Sequence, residues 1–316
     1  MFDVTALGEV LIDFTPYGTS EAGKRLFEQN PGGAPANVLA ALSRMGCKTA
    51  FIGKVGADMH GDYLRSVLEE LSIDTGSLIS DPDFFTTLAF VSLENGERSF
   101  AFARKPGADT QLKASELNPA LLEQTKIFHF GSLSMTDEPA KSATCEAVQM
   151  AKKAGALISY DPNYRAALWP DEQTAIREMR AVVPYVDLMK ISDEECALLT
   201  SEHDPEKAAE RLLEAGVRCA FVTCGGDGSL LRTKAVCVQE PAMKCELVDT
   251  TGAGDSFWGG VLYQFAVNNW MPEDLDTEKA QTILRFANTV AGLCVQKRGA
   301  IPAMPSLDEV ISSSRE

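Results

Sequence analysis

Histidine is scarce in this 316-residue chain, and basic residues are outnumbered. There are three histidines, and 29 Lys and Arg stand against 45 Asp and Glu, a formal net charge of −16. A nucleic-acid partner calls for the opposite balance, so that class is excluded from the reading. The eight cysteines (47, 145, 196, 219, 224, 237, 245 and 294) include no C-x-x-C pair, and no histidine neighbours any of them. A zinc site is therefore not expected; buried free thiols in a reducing compartment are. No apolar run approaches the roughly 20 residues of a membrane span. Met1-Phe2-Asp3-Val4 lacks the basic start of a secretory signal, so the expected location is the cytoplasm, without a membrane partner. Neither a G-x-x-x-x-G-K-[ST] loop nor a strand–G-x-G-x-x-G–helix fingerprint occurs. P-loop and Rossmann nucleotide sites drop out, and a dinucleotide-dependent oxidoreductase with them.

What is present is a regular alternation. Residues 3–12 read as a strand ending at Asp13, and the polar segment 15–30 as irregular. Gly32-Gly33-Ala34-Pro35 opens a helix over 36–45, closed by Gly46. A strand over 51–56 and a helix over 58–71 follow. Residues 88–93 and 99–102, around a turn at Glu94-Asn95-Gly96-Glu97, predict a hairpin with no intervening helix. From Ile127 onward, strands at 127–131, 157–161, 186–191 and 218–223 alternate with helices at 137–154, 171–182 and 205–215. A hairpin near 229–240 and a long helix around 278–296 complete the pattern. Such alternation predicts a three-layer α/β/α sandwich with a mostly parallel sheet, as a single domain over 1–316. Residues 14–30 and 84–110 are expected to form a small β-sheet lid. Polar clusters follow the strands at Asp13, Gly32-Gly33 with Asn37, 161–165, 190–195, 223–228 and 249–255. Ligands bind beyond the carboxyl ends of strands in such sheets, so these clusters are expected to share one rim.

The most informative stretch is Val248-Asp249-Thr250-Thr251-Gly252-Ala253-Gly254-Asp255, followed by an apolar run from Phe257 to Val267. It reads as a loop feeding a helix N-terminus, with backbone N–H groups at Gly252, Ala253 and Gly254 positioned to hold an anion. A carboxylate there would repel a phosphate, unless Asp255 takes a proton from a nucleophile while the amides hold the phosphoryl group under attack. Alone, the stretch fits an ordinary first-turn acid equally well. The helix dipole leads one to expect a lowered pKa at Asp255, hence a weak base.

Gly8-Glu9-Val10-Leu11-Ile12-Asp13, Gly32-Gly33-Ala34-Pro35-Ala36-Asn37 and Asp249 through Asp255 resemble the signatures of the PfkB (ribokinase-like) sugar kinases, in order and spacing along essentially the whole chain. Residues 102–109, 128–134 and 161–165 look most like those of fructokinases. The resemblance implies a ribokinase-like fold and transfer of the γ-phosphoryl of ATP to a sugar's primary hydroxyl, fructose giving fructose 6-phosphate. It makes Asp255 the base and the amides of Gly252, Ala253, Gly254 and Asp255 the anion hole. Asp13, Gly32, Gly33 and Asn37 match sugar contacts, with Phe102, Arg104, Asn163 and Arg165 as further substrate candidates. Lys190, Thr223, Gly225, Gly228 and Asn288 fall on the nucleotide side. Glu195 is implied at Mg²⁺, through water, and Asp249 and Thr251 at a monovalent cation such as K⁺. One departure is Ser192, which stands where the family usually has Asn. 2-Keto-3-deoxygluconate, ribose or a nucleoside are alternative substrates within the family; a catalytically silent sugar sensor is the alternative outside enzyme chemistry. The exposed edge of the lid hairpin suggests a homodimer through the lid.

Overall fold

The computed structural model describes residues 1–94 and 97–313. The chain begins with β1 (Phe2–Leu7), β2 (Leu11–Thr19), β3 (Arg25–Gly32), α1 (Ala34–Arg44), β4 (Thr49–Gly56), α2 (Met59–Glu70) and β5 (Asp74–Asp81). The hairpin β6 (Leu88–Glu94) and β7 (Glu97–Ala103) follows, then α3 (Pro119–Leu122), β8 (Thr125–Gly131), α4 (Ala140–Lys153), β9 (Leu157–Asp161), α5 (Glu172–Ala181) and β10 (Leu188–Ser192). The last third holds α6 (Asp193–Thr200), α7 (Pro205–Glu214), β11 (Cys219–Thr223), β12 (Ser229–Arg232), β13 (Cys237–Glu240), α8 (Ala253–Asn268), α9 (Thr277–Cys294) and α10 (Leu307–Ser313).

Nine strands form the central sheet in the order β13-β12-β11-β10-β9-β8-β1-β4-β5, parallel from β11 to β5. Its inner strands are buried on both faces, and alternate residues enter two separate cores. Phe51, Ile127, Leu157, Leu188 and Phe221 pack beneath α1, α2, α8 and α9. Their neighbours Ile52, Phe128, Ile158, Met189 and Val222 pack beneath α4 to α7. This period-two division is why the strands read as nearly continuous apolar runs. From β1 the chain runs one way to β4 and β5 and the other way from β8 onward, so a topological switch point lies between β1 and β8.

Helix starts follow local chemistry. Asp58 accepts from the amides of His60 and Gly61, Asp171 from Thr174, Asp204 from Lys207 and Asp276 from Lys279. Helix α8 is apolar on nearly every side and correspondingly buried. It nests between two helices because Gly259 and Gly260 leave room: a Cβ on Gly259 would lie 2.6 Å from Ala41 of α1, and one on Gly260 2.9 Å from Ala287 of α9.

A second sheet, β3-β2-β6-β7, stands apart from the first. Here the structure differs from the sequence reading. The strand expected to run to Asp13 is two strands in two sheets, broken at Gly8-Glu9-Val10. The segment expected to be irregular is instead the β2–β3 ladder, which pairs Asp13 with Asn30. Alternation persists across the break, so periodicity alone conceals the change of sheet. Residues 74–81, given no element in the sequence reading, form the parallel edge strand β5. The expected turn at Asn95-Gly96 lies outside the described residues; the ladder beside it pairs Glu94 with Glu97. Among the described residues, no helix is long and apolar enough to cross a membrane.

Replacing Gly259 with Val should force α1 and α8 apart and cost about 1–3 kcal/mol, read as a lower urea midpoint at unchanged slope. An unchanged midpoint would show that the α1–α8 contact is not tight.

Candidate active site

At the carboxyl ends of β1, β8, β9 and β10 lies a cavity of about 320 Å³ lined by Glu9, Asp13, Gly33, Asn37, Phe102, Asn163, Arg165, Lys190 and residues 250–255, among others. It thus draws on both halves of the central sheet and on the second sheet.

Asp255 is the third residue of α8 and is buried there. Gly252 caps the helix with φ 76° and ψ 4°, a left-handed conformation costly for residues with a side chain. A Cβ at this position would also lie 2.9 Å from Ala300. The Ala253 amide, expected among the anion-binding donors, instead donates to the Thr250 carbonyl at 3.2 Å, closing the turn. The Gly254 and Asp255 amides open the first helical turn, where donors have no intrahelical acceptor. Asn37 of α1 donates through Nδ2 to Asp255 Oδ2 at 2.8 Å. The expectation of a lowered pKa for Asp255 fails: burial raises it, and the Asn37 bond and the charges of Lys190 and Arg165 offset this only in part. Desolvation outweighs the helix terminus, which makes Asp255 a better base than its position alone suggests.

Lys190 projects from β10 into the same place. Its ammonium is buried, donates to Asp161 Oδ2 at 2.9 Å and stays charged, because Asp161, Glu195 and Asp255 raise its pKa against the cost of burial. A Cβ on Gly254 would come within 2.9 Å of Nζ, so the cation lies directly against the helix start.

Asp13, across the cavity, is pushed up to about 7, chiefly by burial and then by the charge of Asp255; Arg165 pulls it back. Gly32 does not line the cavity, and its lack of a side chain leaves space for the Asp13 carboxylate. Arg165 is exposed at the rim and donates to the Tyr164 carbonyl at 3.0 Å. Asn163, with φ 48°, turns the chain into the cavity wall.

Several expected contacts have other tasks. Arg104 is 5% exposed and lies outside the lining. Its guanidinium donates to Asp109 at 2.7 Å, Thr136 at 2.7 Å and the Leu133 carbonyl at 2.8 Å, so it holds the wall from behind. Asn288 accepts from Ser229 at 2.9 Å and donates to the Glu240 and Pro241 carbonyls at 3.2 and 3.0 Å, tying α9 to the end of β13. Thr223 ends β11 and Gly225 and Gly228 follow it, two strands beyond Asp161, outside the cavity lining.

Glu195 Oε1 accepts from the Tyr164 amide at 2.8 Å, and Oε2 from the Ser192 amide and hydroxyl at 2.9 and 3.2 Å. Ser192-x-x-Glu195 is therefore a capping box that starts α6 and anchors the 162–165 loop. Among the described residues no group of three His, Cys, Asp or Glu could hold a metal ion. Asp249 Oδ1 accepts from the Thr251 amide and hydroxyl at 2.9 and 2.7 Å, and Oδ2 from the Gly299 amide at 3.0 Å. His129 is a neutral core residue, pushed down to about 3 by burial and bonded to Ser159 at 3.0 Å. Five lining residues, Glu9, Leu11, Ala34, Leu133 and Thr250, were given no role by the sequence reading, and Glu9 is the one carboxylate among them. Glu9 is 2% exposed, and its signal was its place two residues after the end of β1, within the Gly8–Asp13 stretch.

Fold and cavity together define a class: an α/β enzyme with a second sheet over a pocket where a helix start, a buried lysine and several carboxylates meet. The pattern of the pfkB family carbohydrate kinase matches residues 1–307, and the chain belongs to that family of ATP-dependent sugar kinases. It is 42% identical over 312 residues to probable fructokinase-6, chloroplastic, of Arabidopsis thaliana, covering 97% of this chain and 81% of that one. A fructokinase with bound ATP from Xylella fastidiosa superposes with a TM-score of 0.92 at 33% identity, both chains covered in full. A fructokinase double mutant from Vibrio cholerae O395, in a form with fructose, ADP and potassium ion bound, gives 0.87 at 30%, covering 98% and 97%.

The raised pKa of Asp13 has a consequence for stability. Between its ordinary value of 3.8 and about 7 the folded state binds the extra proton, so its contribution weakens as pH rises through that window. Asp13→Asn should therefore raise the melting temperature at pH 8 by a few degrees, about 1–3 kcal/mol, and by clearly less at pH 5, where only part of the window has been crossed. Equal effects at both values would mean that Asp13 is not strained by its burial.

Proposed function

We propose that this chain transfers the γ-phosphoryl of ATP to the primary hydroxyl of fructose, producing fructose 6-phosphate. The observation that carries the reading is the buried Asp255 carboxylate, held between Asn37 and Lys190 at the start of α8 in a cavity of small-ligand size. The names of the relatives support fructose as the sugar.

Asp255 accepts the proton of the attacking hydroxyl, and the first-turn amides at Gly254 and Asp255, with the Gly252 cap, stabilise charge on the phosphoryl group in transit. Asn37 fixes the carboxylate's orientation. Asp13, Gly33, Asn37, Phe102, Asn163 and Arg165 surround the sugar. Lys190, Thr223, Gly225 and Gly228 serve the nucleotide, and Asn288 supports that side by holding α9 to β13. A divalent ion, in our reading Mg²⁺, neutralises the phosphates it travels with. Both oxygens of Glu195 already accept protein hydrogen bonds, which suits a contact through water rather than direct ligation. Asp249 and Thr251 offer the all-oxygen surroundings of an alkali cation, with K⁺ the candidate. Cytoplasmic residence agrees with eight free cysteines.

The second sheet is the lid over the sugar. Its Phe14–Phe90 stack (5.2 Å) and Phe27–Phe90 edge contact (6.3 Å) form one face, and Tyr17, Leu26, Phe27 and Phe90 leave 39–64% of their surface exposed. We read this face as the contact between two copies of the chain.

ADP release with ATP and Mg²⁺ should be fastest on fructose within a panel including ribose, 2-keto-3-deoxygluconate, mannose, glucose and a nucleoside. It should fall when K⁺ is withdrawn and drop at least ~10³-fold in Asp255→Asn. Turnover on another sugar would remove fructose and keep the mechanism; undiminished activity of the variant would remove Asp255 as base. Light scattering should give twice the chain mass, and Phe27→Glu should halve it; a monomeric wild type rejects the lid contact.

A further inference from the structure

We infer that Glu9 is a sugar-contacting, specificity-determining residue whose Oε2 accepts a hydrogen bond from a hydroxyl of the bound sugar. The inference deepens the kinase reading and rests on it.

Two observations meet at this residue. First, Glu9 belongs to the cavity wall, beside Leu11, Asp13, Gly33 and Asn37, in the break between β1 and β2 where the chain passes from one sheet to the other. Second, its carboxyl group is half satisfied. Oε1 accepts from the Ala34 amide at 3.0 Å, at the first residue of α1. Oε2 is equally buried and has no hydrogen-bond partner. The neighbouring cation does not supply one, because Arg104 directs its guanidinium to Asp109, Thr136 and the Leu133 carbonyl. Burial accordingly raises the Glu9 pKa to about 7, against its own amide, the Arg104 charge and the Ala34 amide. A buried acceptor left empty costs about 1–3 kcal/mol, and its retention in a binding site calls for a donor.

The same wall holds a second such atom. Asn37 Oδ1 is buried without a partner while Nδ2 of the same amide binds Asp255. Two unpartnered acceptors on one side of a small cavity match a ligand with several O–H donors. A polyol supplies them; an apolar or purely anionic ligand does not. With one oxygen on the first turn of α1 and the other toward the sugar, Glu9 ties sugar recognition to the helix that carries Asn37. A site built this way rejects an analogue lacking the hydroxyl far more strongly than it rejects one lacking a methylene.

The test uses wild type and Glu9→Gln, which keeps the shape and replaces one oxygen with a donor. Fructose and its 1-, 3- and 4-deoxy analogues serve as substrates, with the sugar-induced shift in melting temperature as a binding readout. Wild type should discriminate against at least one deoxy analogue by 100-fold or more in kcat/KM. Glu9→Gln should raise KM for fructose at least tenfold, leave KM for ATP within twofold, shrink the sugar-induced thermal shift and lose most of that discrimination. Glu9→Gln with both KM values and the discrimination unchanged would overturn the inference. So would a wild type indifferent to every deoxy analogue. The wild-type analogue series stands even if the variant fails to fold. If wild type phosphorylates another sugar instead, the fructose reading fails, and the same design applies with that sugar's deoxy series.

Discussion

Three carboxylates, Glu9, Asp13 and Asp255, line one cavity together with the buried Lys190 ammonium and Arg165 at the rim, and a fourth, Asp161, is paired to Lys190. Desolvation is the leading influence on the pKa of all four. The arrangement depends on Lys190, which forms an ion pair with Asp161 and lowers the pKa of Asp255 at the same time. Removing that cation would leave several like charges facing one another in low dielectric, where repulsion is least screened. In a chain of net charge −16, a buried cation of this kind offsets the repulsion that the triphosphate of ATP, with about four negative charges, would otherwise meet.

The scaffold converts that electrostatic problem into a positional one. Asp255 and Asn37 come from helices whose contact depends on Gly259 lying flat against Ala41, and Gly252 turns the chain so that α8 points its first turn at the cavity. Lys190 comes from β10, an inner strand of the central sheet. The second sheet supplies Asp13 and Phe102, so one wall of the cavity is built on an element separate from the sheet and helices that carry Lys190 and Asp255.

Sequence patterning revealed much of this and missed what depends on three dimensions. The strand ends at 131, 161 and 223 are visible because fully buried parallel strands are apolar throughout and stop at polar residues. The passage from β1 to β2 was not visible, because alternation continues through a break that only pairing reveals. Ser192-x-x-Glu195 carries a legible capping signal, yet the family pattern drew attention to its ligands instead. Arg104 and Asn288 were recognised as unusual but assigned to ligands; a long polar side chain gives no sign in the sequence of whether its partners are substrate or backbone. The Asp255 pKa was misjudged because a helix terminus can be read locally, whereas burial by α1 and β10 cannot.

The Asn37–Asp255 bond joins residues 218 positions apart. During synthesis the N-terminal strands and α1 emerge long before α8, and Glu9 and Asp13 then face water as ordinary ionised carboxylates. The cavity that strains them exists only once the last third of the chain has docked. The cavity walls, the buried Asp255 carboxylate and the first turn of α8 therefore come together in one step, and no partly folded chain presents half of the cavity as a finished pocket. The price in folding speed is a high contact order, and the protection is that any ligand occupying the cavity reinforces only the complete fold.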